Sequence, residues 1–166
     1  MKQTKKLSKL IRNSTILFFV IGTMIQIHAG PLPETFDLKH LDGSPFARTQ
    51  LENKPLMVVF WANWCIPCRK EVSDINKLYK TWYSKDLAFL GIAEDDEIEA
   101  ALNFEQRYQP LYPNVKDIEF SFASKMNVQS LPMILILSKE GKELLRTVEP
   151  PTDGQIRRVL TRNNAS

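Results

Sequence analysis

The sequence predicts an α/β fold of three layers, with a mixed central sheet between helices and an extra N-terminal β-hairpin. Three observations predict it. Continuous apolar, β-prone runs recur at Leu56–Trp61 (LMVVFW), residues 87–93 (LAFLGIA) and Met133–Leu137 (MILIL), as in strands buried on both faces. Helical periodicity fills the interval between the first two runs. A turn signal and an alternating segment follow the third, as in a closing hairpin.

Taken in order, residues 31–35 read as a linker. Residues 36–41 (FDLKHL) alternate apolar and polar, Asp42-Gly43 signals a turn, and residues 45–47 return as the second arm of a hairpin. Asn53-Lys54-Pro55 precedes the first buried run. After that run, Val72, Ile75, Leu78, Tyr79 and Trp82 make one apolar helical face, with Pro67 in the first turn, where its missing N–H is harmless. The acids at 94–97 suit the start of a helix over Ile98–Tyr108 and read as solvated, without a functional role; Pro110 and Pro113 end that helix. Residues 120–126 read as a short helix, residues 138–141 (SKEG) as a turn and residues 142–148 (KELLRTV) as a hairpin partner. Thr152 caps a last helix with Ile156, Val159 and Leu160 on its apolar face. The order is two strand–helix–strand units, then a hairpin and a helix, which gives a mixed sheet with helices on both sides.

The 166 residues suit one domain, and 43% hydrophobic with 25% charged is a globular balance. The net charge of +3 is misleading. Lys2, Lys5, Lys6, Lys9 and Arg12 carry +5 within the first 29 residues, so +3 minus +5 leaves −2 for the rest. A nucleic-acid surface needs a basic stripe in the folded part, so no nucleic-acid partner is expected. Residues 1–29 have a cationic zone, an apolar run at 16–27 and a small-residue exit at Ala29. That order is a secretory signal peptide, or else a retained N-terminal membrane anchor through residues 16–27. The run is 12 residues long, against about 20 for a spanning helix. Either way residues 30–166 form a domain delivered outside the cytosol, to the periplasm or an equivalent extracytoplasmic space.

Both cysteines sit in one stretch, FWANWCIPCRKE, as Cys65 and Cys68. Outside the cytosol such thiols tend to be oxidised. A loop this short constrains little chain, so a Cys65–Cys68 bond is a poor staple. Zinc needs three or four ligands, and the only histidines are His28 and His40; no metal is expected. A Cys65 between a buried strand and a helix faces unpaired backbone N–H groups and the positive end of the helix dipole, which favour thiolate. Cys68, one turn on, can resolve a mixed disulfide held by Cys65. The pattern points to thiol–disulfide exchange.

FWANWCIPC resembles the W-C-x-P-C active site of the thioredoxin superfamily. More narrowly, FDLKHLDGSPF, KPLMVVFWANWCIPCRKE and NVQSLPMILILSKEGKELLRT resemble the hairpin, active-site and proline-loop segments of the TlpA/ResA-type exported thiol–disulfide oxidoreductases. The resemblance implies a thioredoxin-like fold, a catalytic Cys65 and Cys68, and a cis peptide at Leu131-Pro132 whose loop pairs with client backbone. It implies a proton-handling role for Glu71, three residues after Cys68. It also places Trp64, Ile66, Pro67, Leu131 and Pro132 on the surface that binds disulfide-containing clients, with a membrane thiol–disulfide reductase as electron donor and no cofactor. Thioredoxin's buried aspartate is replaced by Val59, and the loop SLPM departs from the G-V-P-E of the cytochrome c maturation branch. The leading expectation is a reductase of protein disulfides. A disulfide-donating oxidase, a cytochrome c maturation thioredoxin, a peroxidase and a non-catalytic binding module are the alternatives.

Overall fold

A computed structural model describes residues 31–32, 39–51, 53–85 and 87–164. The expected leader at 1–29 and residues 36–38 of the first hairpin arm lie outside these residues. The strands are β1 (Leu56–Trp61), β2 (Ala88–Ala93), β3 (Asn114–Lys116), β4 (Met133–Leu137) and β5 (Glu143–Thr147). The helices are α1 (Ile66–Trp82), α2 (Ile98–Tyr108), α3 (Ser121–Lys125) and α4 (Asp153–Asn164). The described part of the N-terminal hairpin is a turn closed by a bridge from Lys39 to Pro45, with His40 bridging to Val115 of β3. No helix among the described residues is long and apolar enough to cross a membrane.

The sheet order is β3-β2-β1-β4-β5. β1 runs parallel to β2, and β2 to β3, while β4 is antiparallel to both β1 and β5. This corrects the reading of Met133–Leu137 as the end of a second strand–helix–strand unit. That unit closes on β3, a three-residue strand the sequence pattern did not announce.

Alternation along β1 splits the core in two. Met57, Val59 and Trp61 face α1, α2 and α4, through Val72, Ile75, Phe104 and Ile156. Leu56, Val58 and Phe60 face α3 and the N-terminal segment, through Phe122, Phe46, Leu51 and Leu32. The expectation of helices on both faces therefore holds unevenly. β1–β2–β3 step in one direction, and right-handed crossovers put α1 and α2 on the same side. The second face is covered by short α3, a 3-10 turn at Arg48–Gln50 and irregular chain. Each fully buried Leu, Ile or Phe adds about 1.5–3 kcal/mol from burial.

Polar links fix the packing. Trp82 Nε1 donates to Asp153 Oδ1 at 2.7 Å, tying α1 to α4. Asn76 on α1 donates to Gln109 O at 3.0 Å and accepts from Leu111 N at 2.8 Å. It thereby holds the chain leaving α2, where Gln109 is left-handed. Thr152 and Gln155 cap α4 reciprocally, Gln155 N to Thr152 Oγ1 at 3.3 Å and Thr152 N to Gln155 Oε1 at 2.8 Å.

The end of β1 is locked by a buried polar contact. Trp61 Nε1 donates to Asn114 Oδ1 at 2.8 Å, and Asn114 Nδ2 donates to Tyr112 O and Glu105 Oε1. The Trp61 ring stacks on Phe104 with centroids 4.0 Å apart. This contact passes over Gly91, where a Cβ would collide with the Asn114 amide and the Trp61 indole. Asn114→Ala strands the indole N–H and should cost about 2 kcal/mol; Gly91→Ala should cost about 3 kcal/mol through overpacking. Urea midpoints measure both, and a Gly91→Ala midpoint equal to the parent's would contradict this packing.

Candidate active site

Three chain segments converge at one edge of the sheet. The first leaves the carboxyl end of β1 and carries Cys65. The second leaves β2 beside it, since Trp61 pairs with Ala93 and Glu94 N donates to Trp61 O at 2.8 Å. The third enters β4, whose Met133 pairs with Phe60, so Leu131 and Pro132 arrive at the same edge. Crevices outside the carboxyl ends of strands are where α/β sheets usually bind ligands.

Cys65 is the N-cap residue of α1. Its backbone is extended (φ −76°, ψ 103°), and its Sγ accepts a hydrogen bond from Cys68 N at 3.2 Å. The two sulfurs are joined in a disulfide, S–S 2.02 Å with Cα atoms 5.3 Å apart. At 3% and 4% exposure, the cysteines are equally buried, so accessibility does not distinguish them. Position on the helix does: Cys65 caps it and Cys68 lies inside its first turn. Around them Trp64 and Ile66 are 64% and 60% exposed, an apolar surface facing solvent. The Leu131-Pro132 peptide is cis. Pro132 is buried and Leu131 half-buried.

The loop before Cys65 is pinned on both sides. Asp95 accepts two hydrogen bonds from Asn63 N, at 2.9 and 2.8 Å to its two carboxyl oxygens. Arg69 Nε, from the second turn of α1, donates to Asn63 O at 2.6 Å. This corrects the reading of the acids at 94–97 as solvated and without role for the first two of them, while Asp96 and Glu97 are exposed as read. Glu94 and Asp95 are buried, because they follow β2 directly where the three segments meet. Periodicity carried no sign of this; the acids sit outside the helix they precede.

Glu94 lines a groove of about 400 Å³ with Trp64, Phe120, Val128 and Leu131. Burial, then the charge of Asp117 and a side-chain hydrogen bond with it, push Glu94 up from 4.5 to about 8. Glu71 lies elsewhere. It is half-buried on α1 and lines a cleft of about 580 Å³ with Asp74, Glu149 and Thr152. Burial and the charges of Glu149 and Asp74 raise it from 4.5 to about 7. Thus Trp64 and Leu131 share one groove and Glu71 a separate cleft. Val59 lies buried in the apolar core, so β1 offers no acid under the sulfur pair. Among the described residues no group of three or more His, Cys, Asp or Glu forms a metal cluster.

Fold and site together define a thioredoxin-like thiol–disulfide oxidoreductase, with one C-x-x-C disulfide at a helix N-terminus. The chain belongs to the AhpC/TSA family, which matches residues 30–142. It is similar to the thiol-disulfide oxidoreductase ResA of Bacillus cereus, 27% identical over 143 residues, covering 86% of this chain and 82% of the relative. Among solved structures it resembles a thiol-disulfide oxidoreductase from Bacteroides fragilis (TM-score 0.60, 26% identity, 77% of this chain and 96% of that one). StoA from Bacillus subtilis shares the fold (TM-score 0.64, 18% identity, 78% and 98% covered).

The raised acids set a pH dependence. Folded Glu94 keeps its proton over a range where the unfolded chain has released it, so its contribution is full below about pH 4.5 and declines as pH rises towards 8. Glu71 adds a decline of the same sign that ends near 7, and Asp95 and Glu105, also raised by burial, act in the same direction. Glu94→Gln should therefore lose less stability between about pH 5 and 8 than the parent does, measured by urea midpoints. Equal losses in the two proteins would refute the assignment.

Proposed function

We propose that this protein reduces disulfides of client proteins outside the cytosol. The observation that carries the reading is Cys65 at the N-cap of α1, its sulfur accepting the Cys68 N–H and bonded to Cys68. Support for location comes from the three-zone order of residues 1–29, cationic, apolar, then small.

In the reduced protein, helix N–H groups and the dipole stabilise a Cys65 thiolate. It attacks one client sulfur, forming a Cys65–client disulfide and expelling the other client sulfur as thiolate, which takes a proton from water. Cys68 then loses its proton and attacks Cys65 Sγ. The second client thiol departs, and the Cys65–Cys68 disulfide holds the oxidised state. Two electrons pass to the client. A dithiol donor restores them, and a membrane thiol–disulfide reductase is the donor class we favour. Trp64, Ile66 and Pro67 flank the attacked bond, and the Leu131-Pro132 loop pairs with an extended client backbone.

Trapping tests the cycle. Cys68→Ala should accumulate clients as mixed disulfides with Cys65, identified by mass spectrometry after non-reducing separation. Recovery of no Cys65-linked protein defeats the reading.

Glu71 is assigned to accept the Cys68 proton. Its ionisation near 7 means that resolution should accelerate as pH rises through 7 and level off above it. Glu71→Gln should abolish this limb and slow resolution by roughly 10²-fold at pH 8, measured by stopped-flow release of a thiol from a preformed mixed disulfide. A limb that persists in the variant assigns the proton to another group.

A further inference from the structure

The groove beside the sulfur pair contains one ionisable side chain, and that side chain is incompletely partnered. Glu94 is 6% exposed, and its Oε1 is buried without a hydrogen-bond partner. Asp117, to which Glu94 is hydrogen-bonded, is itself occupied: its oxygens accept from Ser121 Oγ, Phe122 N and Ala123 N at 3.1, 3.0 and 2.8 Å. An unpaired buried acceptor costs about 1–3 kcal/mol. A ligand that supplies the missing donor recovers that cost.

The surroundings select the kind of donor. Trp64, Phe120, Val128 and Leu131 give the groove apolar walls, and Ser124, Gln129 and Ser130 add neutral polar groups to its lining. Phe120 is held there by two consecutive left-handed residues, Glu119 at φ 57° and Phe120 at φ 53°, a conformation uncommon for non-glycine residues and concentrated at ligand clamps. Around the carboxyl the acids Asp117 and Asp95 outnumber the one nearby cation, Lys116. An apolar stem with a cationic tip fits both features: the stem lies along the walls, under the Trp64 and Phe120 rings, and the tip reaches Glu94.

We propose that Glu94 is a specificity-determining residue, which selects clients carrying a lysine or arginine near the attacked cysteine and seats that side chain in this groove. The inference rests on client reduction at Cys65 and adds a recognition feature of the client. Leu131 joins the two, since it both lines the groove and precedes the cis-proline. A client chain running along the loop thus passes the mouth of the groove. No covalent step is involved: when the cation binds, Glu94 gives its proton to solvent and the pair is charge-balanced.

The test uses disulfide-linked peptides with a lysine placed in turn at each of the four residues on either side of the client cysteine, against norleucine at the same place. The readout is the ratio of kcat/KM for lysine over norleucine, in the parent and in Glu94→Gln. At one position the parent should prefer lysine about tenfold, the effect of one charged hydrogen bond, and Glu94→Gln should bring the ratio within about twofold of one. A lysine preference that survives in Glu94→Gln overturns the proposal, as does a parent ratio near one at every position. The parent's ratios decide by themselves if the variant does not fold. Absence of turnover with any peptide overturns client reduction and this inference together; equal turnover of lysine and norleucine peptides overturns only the inference.

Discussion

Everything at this site depends on how the four residues between β1 and α1 are held. Asn63 is gripped from both directions, its N–H by the Asp95 carboxyl and its carbonyl by the Arg69 side chain. Asp95 comes from the chain leaving the neighbouring parallel strand and Arg69 from the helix that the loop is about to start. The loop is therefore tied to the sheet behind it and the helix ahead of it. Cys65 N donates to Ala62 O at 3.1 Å within this loop, and the sulfur arrives where α1 has unpaired N–H groups to offer. Without that anchorage the helix would still form, but its first residue would not be fixed relative to the Leu131-Pro132 loop.

A second consequence of topology is that the two strongly raised acids lie in separate hollows. Glu94 lines the groove with Trp64 and Leu131; Glu71 lines the cleft with Asp74 and Glu149. In the proposed cycle the first handles recognition and the second proton movement. The separation follows from chain path. Glu94 leaves β2, and Leu131 enters β4 on the opposite flank of β1, so the two close over the end of that strand. Glu71, six residues after Cys65 on α1, has turned away towards the loop that follows β5 and leads into α4.

Much of this was legible in the sequence, for reasons that can be named. β1 and β4 have the bounds of their apolar runs, because a strand buried on both faces needs apolar residues throughout. α2 spans Ile98–Tyr108 as read, and Thr152 caps α4 as read. The cysteine pair was legible from spacing and context, and the cis peptide only from resemblance. β3 was missed because three residues, Asn114–Lys116, carry no period and its pairing is purely tertiary. The antiparallel sense of β4 was missed because strand direction leaves no mark on an apolar run.

The misread acids show where local reasoning stops. Glu94 and Asp95 look like a helix start because acids favour helix N-termini, and that preference is indifferent to burial. Their burial is set by residues far away in sequence: Asn63 for Asp95, and Asp117 with the α3 N-terminus for Glu94. The two acids then diverge. Asp95 has its oxygens taken up by backbone N–H and acts as a fixture of the loop, whereas Glu94, which lines the groove, keeps one buried oxygen unpaired. A buried polar atom without a partner persists only when the rest of the fold outweighs its cost. Here it belongs to a residue that shares a groove with Trp64, which precedes Cys65, and Leu131, which precedes the cis-proline. In the proposed recognition, a bound client's cation removes that penalty, and on that proposal the unpaired oxygen is a recognition element and not a packing defect.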